Sequence, residues 1–246
     1  MSKYLFLTLA LVFGVTLFTR NNFRRVTEIA PEVLNDPGQK EIIGGGIIKF
    51  TKDGYDYELT PLYDYGISGL IVGKMDYRIF SISRTDSVFP MDLALVWGDN
   101  VKNRVYRDRR VKFTEDGRWV RVSWYGDVNF NFSALSNNHL LINDRAPERK
   151  LKVLTLGDQV RITGQLVNVR GYPSGRAGEP GLEPFTWTTS VTRDDSGSGA
   201  CEVVYVENIK VLKKANPVSC FLFRFSFYGL IGLFLWNLLR IALKKS

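Results

Sequence analysis

Trp119-Val120-Arg121-Val122-Ser123-Trp124-Tyr125 alternates strictly. Val120, Val122 and Trp124 fall on one face, and Trp119, Arg121, Ser123 and Tyr125 on the other. Side chains of a strand alternate with a period of two, so this stretch predicts a half-buried strand. Similar short segments surround it. Residues 55–59 mix aromatic and acidic side chains, 65–74 carry Ile67, Leu70, Ile71 and Val72 between glycines, and 93–97 form an apolar run closed by Gly98-Asp99-Asn100. Over 159–170, Val160, Ile162, Gly164, Leu166 and Asn168 share one face. Residues 185–191 and 202–212 read as late strands. One helix is predicted over 144–155, with Asp144 as its cap, Pro147 in its first turn, and Leu151 and Leu154 on one face. The Gly/Pro-rich stretch 171–184 reads as an exposed loop, and no internal repeat is present. The fold class is therefore mainly β: a single small β-barrel or sandwich over 41–212, behind a linker at 21–40 that contains Pro31 and Asp36-Pro37-Gly38.

Both ends of the chain are apolar. A spanning helix needs roughly 20 mainly apolar residues, and residues 218–239, extended by Ala242 and Leu243, predict a C-terminal transmembrane helix over 217–243. The run 4–18 follows Lys3 as in an export signal. No small-x-small site follows Phe18, so residues 1–20 read as an N-terminal transmembrane anchor or uncleaved signal. Two spans place both termini on one side and the β domain on the other. In the second span Arg224 can snorkel, Trp236 suits a headgroup layer, and Ser226 and Asn237 favour protein over lipid; these four are the candidate membrane and partner contacts.

The chain has a formal net charge of +8. Ten of its 33 basic residues and none of its 25 acidic ones lie outside 26–212, which leaves 23 bases against 25 acids there, a formal net of −2. The surplus belongs to the membrane flanks, which argues against nucleic acid as a partner and for the lipid bilayer with other membrane subunits or a second copy. With the terminal amino group counted, positive charges divide five to five across the bilayer, so they do not orient the chain. The export-like start places the domain on the extracytoplasmic side.

His139 is the only histidine. In Ser136-Asn137-Asn138-His139 it reads as pinning a turn ahead of a buried 140–142. The functional alternative pairs His139 as base with Cys201 as nucleophile, Asn138 or Asp195 orienting the ring, in a hydrolase or transferase. Arg193-Asp194-Asp195-Ser196-Gly197-Ser198-Gly199 reads as a tight turn; its spacing does not match an EF-hand calcium loop. Gly44-Gly45-Gly46 lacks the Lys-Ser/Thr of a phosphate loop. No cofactor motif is present, and one histidine with one domain thiol excludes a multi-imidazole or cysteine-rich metal site within one chain. The basic and aromatic stretch 104–113 reads as a solvated strand edge, with anionic headgroups or an acidic protein as its next reading.

Gly157-Asp158-x-Val160-x-Ile162-x-Gly164-x-Leu166 resembles the strand-turn-strand core of small oligomer-binding (OB-type) barrels, which implies an oligonucleotide or glycan binder as one function. Leu93-Ala94-Leu95-Val96-Trp97-Gly98, Ser136-Asn137-Asn138-His139-Leu140 and the stretch from Thr192 to Glu202 resemble a group of uncharacterised membrane-anchored bacterial proteins. That resemblance implies the bacterial inner membrane and export and supplies no activity; its members usually lack the second span. The leading expectation is a structural or interaction subunit, or accessory, of a membrane protein assembly.

Overall fold

The computed structural model describes residues 2–78, 87–193, 195, 197 and 199–244. Asp194, Ser196 and Ser198 of the predicted turn lie outside the described residues. The chain enters as helix α1 (Ser2–Thr19) and leaves as helix α4 (Pro217–Lys244). Between them lie β1 (Gly38–Glu41), β2 (Ile48–Lys52), β3 (Tyr55–Asp76), β4 (Met91–Val96), α2 (Gly98–Lys102), β5 (Lys112–Asp116), β6 (Trp119–Ser123), β7 (Leu135–Leu141), α3 (Arg145–Leu151), β8 (Gln159–Pro173), β9 (Phe185–Trp187) and β10 (Glu202–Lys213).

Among the described residues, eight strands form one sheet in the order β1-β3-β4-β7-β10-β8-β9, with β2 on β3 and β8 also pairing along β3. All its ladders are antiparallel except β7 with β10. Hairpin β5–β6 stands apart. β6 alternates as expected over Trp119–Ser123, with Val120 and Val122 half-buried and Trp119, Arg121 and Ser123 exposed, but Trp124, expected on the Val120 face, lies past the strand end and is exposed. Ile67, Ile71, Leu93, Leu95, Leu140, Val160, Ile162, Leu166, Val204 and Ile209 meet in the largest apolar cluster. The predicted face of 159–166 therefore points into the core. Val167 and Val169, on the other face of β8, are also buried, under Tyr57, Phe89 and Val203.

Glycine lets two strands come close. A Cβ at Gly164 would lie 2.0 Å from the Tyr205 carbonyl oxygen of β10, beside a register shift in that ladder. Gly157 sits in a left-handed turn (φ 86°), where a Cβ would meet Ala215 and the Phe23 backbone, each at 2.9 Å.

Several expectations need correction. Segments 55–59 and 65–74 are one 22-residue strand, β3. Ser136-Asn137-Asn138-His139 is no turn; it lies inside β7. The helix at 144–155 is shorter, Arg145–Leu151, although Asp144 caps it by accepting from the Ala146 amide, and Leu151 and Leu154 are buried. Residues 104–113 are a 3-10 turn (Val105–Arg107) and a loop entering β5, with Val105, Tyr106 and Val111 buried, because the segment roofs an apolar cluster. The expected linker is docked on the sheet. Val26 and Val33 are buried, Tyr106 donates to the Val26 carbonyl (2.8 Å), and the Gln159 amide bonds the backbone of both Glu28 and Ala30.

One helix among the described residues is long and apolar enough to cross a bilayer, over Pro217–Leu243. The expected N-terminal span falls short: α1 has 18 residues, about 27 Å at 1.5 Å per residue against a hydrocarbon core of about 30 Å. It packs antiparallel on α4. Phe13 stacks on Phe223 (5.0 Å), Leu9 fills the notch at Gly229, and the Thr19 hydroxyl donates to Ser219 (3.3 Å). Ser226 is buried in this pair and donates to the Leu222 carbonyl, so its polar group is satisfied within its own helix. Arg224, Trp236 and Asn237 are exposed.

The helix pair joins the sheet through a polar seam. The buried Asp158 carboxylate accepts from the Thr155 and Ala215 amides (2.8 and 3.0 Å) and from Lys214 Nζ (2.8 Å). Asn216 donates to the Arg20 carbonyl (3.2 Å). No flexible spacer separates the β domain from α4.

Candidate functional site

Met91–Val96 is apolar except for Asp92, and β7 is polar on both faces from Ser136 to His139. These departures from an apolar strand mark the place where side-chain chemistry gathers. Alternation sends Ser136 and Asn138 inward and Asn137 and His139 outward, so β7 serves two polar clusters.

The outer cluster is built on Asp92, which pairs with His139 in the β4–β7 ladder. Tyr77 donates to Asp92 Oδ2 (2.8 Å), and Arg118 Nη1 lies 3.1 Å from Oδ1. His139 Nδ1 is 2.9 Å from Asp92 Oδ1, yet the ring N–H is not aligned on that oxygen, so proximity rather than a formed hydrogen bond joins them. Arg118 lies over the Tyr77 ring (4.0 Å) and near Trp187 (5.2 Å), which meets the His139 ring edge-on at 4.8 Å. Asp92 and His139 are both buried. A buried carboxylate shared by a guanidinium, a phenol and an imidazole locks the outer faces of β4 and β7 to the loop carrying Arg118.

The inner cluster caps the apolar interior. Asn138 donates to Ser136 Oγ (2.6 Å) and receives the Tyr65 hydroxyl (3.4 Å). Glu202, paired with Asn138 across β10–β7, is buried, and its Oε2 has no hydrogen-bond partner among the described residues. Burial pushes its carboxyl up to about 8. Arg193 Nη1, at 3.7 Å from Oε1, opposes that shift without cancelling it. The same desolvation raises the Tyr65 phenol.

Beside the inner cluster opens a cleft of about 780 Å³, lined by β6, by Phe132, Leu135, Ser136 and Asn137, and by Thr192, Arg193, Asp195, Gly197, Ala200, Cys201 and Glu202. Its rim carries exposed Trp119 and Phe132; Trp124, against Phe132 at 5.2 Å, and Tyr125 extend the same aromatic surface. Cys201 lines the cleft. Asn137 Nδ2 donates to its Sγ (3.5 Å), and burial pushes the thiol up to about 11. A thiol held there is poorly ionised at neutral pH.

His139 is opposite Val203, and among the described residues no hydrogen bond joins it to Cys201. Its carboxylate neighbour is Asp92, not Asp195, which instead accepts from Ser190 Oγ (2.5 Å). Asn138 faces the interior, away from the imidazole. Among the described residues no three His, Cys, Asp or Glu side chains gather to hold a metal ion. Sequence reasoning missed Asp92, Arg118, Tyr77 and Trp187. The one local signal was the lone acid in Met91–Val96.

Compared with protein-family models, curated proteins and solved structures, the chain gives no match.

Proposed function

We propose that this chain is a membrane-tethered, OB-type β domain that serves as an interaction subunit or accessory of a membrane protein assembly, gripping a partner protein at its aromatic cleft. The observation that carries the reading is the solvent-facing cleft rimmed by Trp119 and Phe132, on a domain joined without a spacer to α4. Exposed aromatic clusters beside a polar floor are the usual composition of protein contacts.

The OB-type assignment is supported by strand connectivity. Ladders join β3, β4, β7, β10 and β8 in that order, and β8 also pairs along β3, with α3 between β7 and β8 in the chain and β7 parallel to β10. Such barrels bind at the face of their second and third strands; here Leu135, Ser136 and Asn137 of β7 line the cleft. Their ligands include oligonucleotides and glycans. The near-neutral balance of 26–212 supports a protein partner over a nucleic acid. The hydrolase or transferase alternative has less support, because burial, together with the nearby carboxylates of Glu202, Asp92 and Asp195, pushes the Cys201 thiol up to about 11. The export-like start supports the bacterial inner membrane with an extracytoplasmic domain.

Native sizing after mild detergent extraction tests the function. The expected particle exceeds a detergent-bound 28.0 kDa chain, and Trp119→Ala with Phe132→Ala releases the chain from it without unfolding the domain. A monomeric wild-type species, or a particle indifferent to the double change, contradicts the proposal.

A further inference from the structure

A second cleft, of about 870 Å³, lies where the helix pair enters the domain and is lined by Arg24, Arg25, Arg104, Arg107, Arg109 and Asp108. It sits against the bilayer exit. Arg25 is six residues past the end of α1, and the adjoining Phe23 backbone approaches Gly157 together with Ala215, two residues before α4. The 3-10 turn Phe23–Arg25 packs on Val105–Arg107, so two basic segments far apart in sequence form one surface.

The charges there are not neutralised from within. Asp108 pairs with Arg110 (2.7 Å). Arg24 donates to the carbonyls of Tyr106, Asp108 and Val111, and Arg107 to that of Arg24. These bonds build the collar without supplying an acid. Arg25, Arg104 and Arg109 are exposed and have no acidic partner among the described residues. Crowded like charges raise the local potential and call for an external anion. Guanidinium forks match phosphate oxygens in a two-pronged geometry. Bilayer surface potential decays within a Debye length, about 8 Å at physiological salt, so a basic collar is useful to a lipid-binding protein only beside the helix exit, as here.

We propose that this arginine collar is a binding site for the headgroups of anionic phospholipids in the leaflet next to the domain. It rests on α4 crossing the bilayer. Occupation would fix the tilt of the β domain on the membrane and so the height of the aromatic cleft.

The test uses the full chain reconstituted in phosphatidylcholine vesicles, with spin-labelled phosphatidylglycerol or spin-labelled phosphatidylcholine as probe. The motionally restricted fraction should favour the anionic probe by about fivefold or more, the effect expected of one or more interfacial arginines. The triple change Arg25→Gln, Arg104→Asn and Arg109→Gln should bring the preference close to unity with the thermal midpoint unchanged; asparagine tolerates the left-handed backbone at 104 (φ 56°). Equal restriction of the two probes, or an unaltered preference in the folded triple variant, overturns the proposal. So does its abolition by millimolar inorganic phosphate at constant ionic strength, which would mark a site for free anions. A chain that fails to float with vesicles of either lipid refutes the membrane reading itself.

Discussion

Gly164→Ala is expected to destabilise the domain by about 3 kcal/mol or more, the upper range for forcing atoms into a packed site. The added methyl would lie 2.0 Å from the Tyr205 carbonyl oxygen, and the obstacle is β10 backbone, not the movable end of a side chain. Relief requires β10 to lift off β8, which breaks the ladder on both sides of the bulge between Val206 and Asn208. Gly66, opposite the neighbouring Thr163 on β3, is the matched control: a Cβ there meets only the Thr163 methyl at 3.9 Å, an ordinary contact. Thermal unfolding followed by intrinsic fluorescence should show a fall of roughly 10 °C for Gly164→Ala and a much smaller change for Gly66→Ala. Equal shifts would show that the β8–β10 approach is not as close as described.

Glu202→Gln should abolish most of a pH dependence. Burial raises the native carboxyl from 4.5 to about 8, whereas the unfolded chain keeps the ordinary value. Between those limits the folded state holds a proton that the unfolded state has released, so stability falls as pH rises from about 4.5 to 8 and levels off above. At 1.36 kcal/mol per unit the loss is on the order of 3–5 kcal/mol. Glutamine keeps the shape and cannot ionise. The variant should match the wild type near pH 5 and be the more stable protein at pH 8. Denaturant midpoints across this range check it, and parallel curves for the two proteins would contradict a buried, neutral Glu202.

The β class was legible wherever one face met the core and the other met water, as in β6 and the first half of β8. It failed where both faces are covered. In β7, Ser136 and Asn138 enter the inner cluster while Asn137 and His139 enter the outer one, so every residue is polar and the period of two vanishes. In β3, the gap between the expected segments 55–59 and 65–74 is bridged by strand, with a register shift against β8 between Pro61 and Tyr63. Gly69 and Gly73, inside the second segment, are sites of close approach, where a Cβ would come within 2.9 Å of Leu95 and Ala94. The candidate site was half legible. His139, Asn138, Cys201 and Asp195 do fall at one end of the sheet, but their assignment to a single catalytic group depended on facing directions that only the β7–β10 and β4–β7 registers define. Arg118 arrives from the turn between β5 and β6 and Trp187 from β9, and no local pattern ties them to Asp92.

In the proposed function α4 holds this domain in a bilayer. Alkaline carbonate washing of membranes from the source cells tests it directly: the full-length chain should stay with the sedimented membrane and enter solution only with detergent. Recovery of intact chain in the carbonate supernatant would contradict the account.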